Sequence, residues 1–122
     1  MKIGPSKNII LKSTIKNDEY GLFAGKDYNP GDIIEINRCI ELKKSCDNIK
    51  YYVFSSHMKP NHYILVLGNA SIINSGKIRQ NCKYYVYPEN DDFIVFKATK
   101  PIKKNEEIFI YYGKDYHKSY LQ

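Results

Sequence analysis

Tryptophan is absent from the 122 residues, and no apolar run approaches the roughly 20 residues of a membrane-spanning helix. Cysteine is scarce and odd in number. Cys39, Cys46 and Cys82 read as reduced thiols rather than as a disulfide frame. Together with His57, His62 and His117 they show no zinc-type ligand spacing, so no metal is expected. Neither GxxxxGK[ST] nor GxGxxG occurs, which removes the phosphate-cradling loops. No serine stands in a nucleophile-elbow setting. The opening MKIGPSKN lacks the apolar stretch of a secretory signal, so an intracellular protein is expected.

Tyrosine is plentiful, with 12 copies, and basic residues outnumber acidic ones by 19 to 13. The lysines are scattered rather than gathered on one periodic face, so the charge points to an acidic partner only in general terms. Period-two alternation dominates the chain. Strands are predicted over NIILKSTI (8–15), DIIEINRCIEL (32–42), YYVF (51–54), HYILVLG (62–68), CKYYVYP (82–88), DFIVFKAT (92–99) and EIFIYYG (107–113). NPGD (29–32) is a Pro-Gly turn and PENDD (88–92) a hairpin connection. A helix has room only over about 43–58, where Ile49, Tyr52 and Val53 fall at helical spacing. Residues 1–122 therefore read as one mainly β domain, with no repeat or linker.

Three stretches ask for more than a strand or a turn. The polar loop GNASIINSGKIRQNC (68–82) is longer than a hairpin needs, and long ordered loops often carry function. In EYGLFAGKDYNPGDIIE (19–35), Gly21 fits a bulge or turn, or a close approach of backbone to ligand. The terminal NEEIFIYYGKDYH (105–117) gathers Tyr111, Tyr112 and Tyr116 around a glycine.

Taken in order, these stretches resemble the SET domain, the family of protein lysine methyltransferases. EYGLFAGKDYNPGDIIE resembles the family's G-x-G-[LV]-F-A opening with its [KP]-G-[DE] turn. IINSGKIRQNC resembles the I-N-H-S-x-x-P-N-C loop. FKATKPIKKNEEIFIYYG resembles the A-x-[KR]-x-I-x-x-G-E-E-[IL] hairpin and the strand ending in tyrosine. KYYVFS and the tail GKDYH are similar to positions in small stand-alone viral members. The resemblance covers about residues 10–117 and implies a SET-like fold of several small sheets with a C-terminal pseudoknot.

It also implies an S-adenosylmethionine-dependent protein lysine N-methyltransferase with Tyr112 as the catalytic residue. Tyr20, Gly21, Leu22, Tyr52, Asn74, Ser75 and Tyr116 fall at cofactor positions, and Tyr52, Tyr111 and Tyr116 at the substrate lysine channel. A histone tail or nucleosome is the implied partner, with a nuclear or chromatin location and a homodimer as in the small viral relatives. On the residues alone, Asn74 also fits an Asx-turn cap, and Tyr52 and Tyr116 fit plain packing roles. The chain departs from the family pattern where Glu19 replaces the first motif glycine, Ser75 the histidine and Gln80 the proline. Those departures keep a catalytically degenerate SET-like binding module as the alternative. A small basic β-domain that stacks nucleic acid on its tyrosines is a further one.

Overall fold

The computed structural model describes residues 3–15, 19–44, 48, 53–56, 61–86 and 93–110. Among them are nine strands: β1 (Ile9–Lys12), β2 (Tyr20–Phe23), β3 (Ile33–Leu42), β4 (Val53–Ser55), β5 (Tyr63–Leu67), β6 (Asn74–Ser75), β7 (Cys82–Val86), β8 (Phe93–Ala98) and β9 (Phe109–Ile110). A single 3-10 turn (Asn69–Ile72) joins β5 to β6. The strands form three sheets, β1-β2, β4-β5-β3-β8-β7 and β6-β9, a mainly β fold as the sequence pattern predicts, divided into several small sheets as the resemblance implies.

Alternation explains the five-stranded sheet. Along β7 and β8, Cys82, Tyr84, Ile94, Phe96 and Ala98 are buried while Lys83 and Tyr85 are exposed. The inward residues meet at Phe54, whose ring lies edge-on to Tyr84 and Phe96 at centroid distances of 5.1 and 5.6 Å. Each such side chain contributes about 1.5–3 kcal/mol on full burial. Burial also pushes the Tyr84 phenol well above its ordinary pKa. β7 and β8 pair antiparallel from Cys82↔Ala98 to Val86↔Ile94; their connection, including the predicted PENDD turn, lies outside the described residues.

The predicted helix over 43–58 is corrected where it can be seen. Val53 faces Leu65 and Phe54 faces Ile64 in the antiparallel β4-β5 pair. Val53 and Phe54 are β-branched and aromatic, and both bury well on a pleated face. The NPGD turn forms as expected. Asp32 N–H donates to Asn29 O at 2.9 Å, and Gly31, with φ of 90°, takes the left-handed position that glycine fills without strain. Leaving that turn, β3 starts with a bulge between Ile33 and Glu35, so that Glu35 turns inward beside Phe96.

Cys39 and Cys82 are both buried. No described helix is long and apolar enough to cross a membrane.

Candidate functional site

The last described segment, residues 105–110, is bound on two sides by parts of the chain remote in sequence. On one side it runs antiparallel to β2 and the residue after it. Asn105 N–H donates to Ala24 O at 2.7 Å, Ala24 N–H to Glu106 O at 2.8 Å, and Ile108 N–H to Leu22 O at 2.8 Å. On the other side β9 lies parallel to β6, pairing Phe109 with Asn74 and Ile110 with Ser75, and Gly76 N–H donates to Ile110 O at 2.8 Å.

β6 is too short to hold β9 by its ladder alone. Asn81 supplies what is missing. Its backbone N–H donates to Phe109 O at 3.0 Å, its Oδ1 accepts from Phe109 N–H at 2.9 Å, and its Nδ2 donates to Glu107 O at 3.1 Å. One buried amide side chain thus satisfies two backbone groups that have no strand partner.

Glu107 organises the middle of this crossing. Its carboxylate is buried and accepts from Thr14 N–H at 2.6 Å, Thr14 Oγ1 at 2.7 Å, Ser13 Oγ at 2.8 Å and Asn74 Nδ2 at 3.2 Å. These donors are all neutral, and no described Lys, Arg or His pairs with it. Gly21 leaves the room. A Cβ there would stand 2.3 Å from Glu107 Oε2 and 3.1 Å from Asn74 Nδ2.

Asn74 is 8% exposed, and its Nδ2 donates to Tyr20 O at 3.1 Å as well as to Glu107. A carbonyl and a carboxylate only accept here, so they fix which end of the amide faces them. Asn74 Oδ1 is therefore turned the other way and meets no donor among the described residues. A buried acceptor left without a donor is costly unless a ligand or water supplies one. A cavity of about 420 Å³ opens on the other flank of Glu107, lined also by Thr14, Arg79, Asn81, Lys100 and Phe109.

Of the residues predicted to form the site, Tyr20, Gly21, Asn74 and Ser75 converge here. Tyr20 is 55% exposed, while Ser75 is buried within β6. Leu22 lies wholly in the core and presents its carbonyl to Ile108 rather than to open space. The room at the Gly21 Cα is taken by the Glu107 carboxylate rather than left open. Glu19 is exposed, with its carbonyl accepting from Ser13 N–H at 2.8 Å. Tyr52, Tyr111, Tyr112 and Tyr116 lie outside the described residues, and so does the tail of the expected pseudoknot. Glu107, Asn81 and Thr14 were not expected at the site. The signal for Glu107 was its place two residues before Phe109, on the same side of an alternating strand.

No curated protein matches this chain in sequence. Among solved structures it is similar to a candidate histone methyltransferase of Plasmodium falciparum, with 23% identity and a TM-score of 0.69, covering 90% of this chain and 96% of that one. It is also similar to a chain of the Chaetomium thermophilum polycomb repressive complex 2, at 21% identity and a TM-score of 0.72, over 92% of this chain and 16% of that one. The same complex in an autoinhibited conformation bound to S-adenosylmethionine gives 22% and 0.67, over 90% and 15%. This chain thus spans about a sixth of the polycomb chain, and at these identities the likeness is one of fold. Residues 19–113, most of the chain, match the SET domain. The β2, Asn74 and Glu107 segments that cross at this site all fall within that match, and the chain belongs to the SET-domain family.

Proposed function

We propose that this chain is an S-adenosylmethionine-dependent protein lysine N-methyltransferase. The observation that carries the reading is the buried, outward-turned Asn74 Oδ1, beneath which sits the carboxylate of Glu107. An acceptor that meets no donor, next to a carboxylate that no described Lys, Arg or His pairs with, fits the ammonium of an amino-acid moiety. The residues present therefore suit the amino end of S-adenosylmethionine. Asn74 would accept from that ammonium, with Tyr20 and Ser75 beside it. When bound, the cofactor supplies a methyl group on a sulfonium, open to in-line attack by an amine.

What remains for the protein is alignment and a neutral lysine amine. Free lysine has a pKa near ~10.4, so the amine must lose its proton before it can attack. An apolar channel of tyrosines favours the neutral form, because the charged one would be desolvated there. In this proposal Tyr52 and Tyr116 line that channel, and the Tyr112 hydroxyl orients the amine lone pair.

The proposed substrate is a histone tail or nucleosome, and the proposed location is with chromatin. A chain of net charge +6 is repelled by a free basic tail but attracted to nucleosomal DNA. The degenerate-module alternative rested on Glu19 and Ser75. Glu19 lies at the surface, and Ser75 keeps the strand pairing that holds β9.

Calorimetric titration with S-adenosylmethionine, followed by transfer of labelled methyl to nucleosomes and to free histones, tests the proposal. Absence of cofactor binding would sink it. Asn74→Ala should bind the cofactor about ten-fold or more weakly, as expected for loss of one charge-assisted hydrogen bond worth roughly 1.5–3 kcal/mol. Unchanged affinity would reduce Asn74 to a loop cap.

A further inference from the structure

We propose that Glu107 is the positioning residue for the ligand's amino group, which makes that group a determinant of specificity; this rests on the cofactor reading above. A primary amide has nearly the same shape in both orientations, so an asparagine offers a ligand an acceptor only if something fixes its flip. Two groups fix it here, the Tyr20 carbonyl at 3.1 Å and Glu107 Oε2 at 3.2 Å, and both can only accept.

The Glu107 carboxylate is itself held by Ser13 Oγ and by both donors of Thr14, so it cannot swing away from the amide. Gly21, with no Cβ, lets it come this close. The carboxylate accepts from the Asn74 Nδ2 and polarises the amide, so that Oδ1 becomes a better acceptor. The same charge attracts a cation at Oδ1 and gives a neutral group nothing in return. The arrangement therefore discriminates for an ammonium, beyond filling space.

Glu107→Gln keeps the shape, removes the charge and turns one acceptor into a donor. The paired probes are S-adenosylhomocysteine and its deamino analogue, in which hydrogen replaces the amino group. Both are titrated by calorimetry into the wild type and the variant. The expected result is a loss of about ten-fold or more for S-adenosylhomocysteine and less than about two-fold for the deamino analogue. A merely structural role would weaken both alike, and equal losses, or none, overturn the assignment. If the wild type binds neither probe, the cofactor reading falls and Glu107's role with it.

Should Glu107→Gln fail to fold, the side-chain amide NMR signals of the wild type decide. The Asn74 NH₂ protons, assigned by their disappearance in Asn74→Ala, should be shifted and protected from exchange by their two acceptors. Signals that exchange like those of a solvent-exposed asparagine would overturn the proposal.

Discussion

Gly21→Ala adds a single methyl group at the most crowded point of the site. The new carbon would stand 2.3 Å from Glu107 Oε2, about 1 Å short of an ordinary contact, and 2.9 Å from the carboxyl carbon. A flexible surface glutamate would step aside. This one is buried, and Oε2 accepts from Ser13 Oγ at 2.8 Å and Asn74 Nδ2 at 3.2 Å. Moving it by about 1 Å gives up both bonds, each to a charged group and worth roughly 1.5–3 kcal/mol. Against that, alanine in a strand interior is favoured over glycine by roughly 0.5–1 kcal/mol, and Gly21 shows no positive φ that alanine would strain. The net expectation is a destabilisation of about 2–5 kcal/mol, a large part of the roughly 5–15 kcal/mol that holds a typical domain.

Urea unfolding followed by circular dichroism measures it. The decisive comparison is a double-mutant cycle, because in a Glu107→Ala background the carboxylate is gone and the added methyl should cost little. A loss below about 1 kcal/mol in the native background, or the same loss in both, would refute the close approach as the reason for glycine at this position.

Asn81→Ala should destabilise by about 2–5 kcal/mol, since Phe109 N–H and Glu107 O would both be left buried without partners; a loss under about 1 kcal/mol would show that water replaces the side chain. Burial raises the Tyr84 pKa, so its contribution to stability is fully present below the ordinary value of 10.0 and is lost as pH rises from there through the folded-state value. Alkaline difference spectroscopy should accordingly find this phenol un-ionised in the native state at pH 10.5, and its titration with the exposed tyrosines would contradict the packing. Tyr112→Phe should lower methyl transfer by roughly 10²–10³-fold with little change in cofactor binding, while Tyr111→Phe, predicted by alternation to point to the opposite face, should change little. Equal rates for the two variants would reject Tyr112.

The central sheet was legible because its strands are long enough to show a period. In β7 and β8 the alternate residues Cys82, Tyr84, Ile94, Phe96 and Ala98 are apolar and buried, which is the pattern that burial on one sheet face imposes. β2 was hidden: with only four residues and a glycine in the second position, it reads as well as a turn. β6 was invisible for a different reason. Asn74 and Ser75 carry no apolar signal, and they form a strand only because Phe109 and Ile110 arrive beside them from far along the chain. That Tyr20, Gly21 and Asn74 belong together came from the family resemblance, not from periodicity. Neither source predicted the orientation of the Asn74 amide, which depends on a glutamate 33 residues away. Glu107 stands within the hairpin motif of that resemblance, which assigned it no role at the site.

A parallel pair needs a long crossover, and the one between β6 and β9 contains the β7-β8 hairpin. The register of that hairpin fixes Asn81, which stands immediately before β7, and Asn81 in turn holds the backbone of Glu107 and Phe109. The placement of the Glu107 carboxylate under Asn74 thus depends on a sheet that contributes none of its strands to the site. The stability of the hairpin and the geometry of the amide are consequently one problem. A core substitution in β7 or β8 that shifts Cys82 also shifts Asn81, and through it the carboxylate that fixes the orientation of the Asn74 amide.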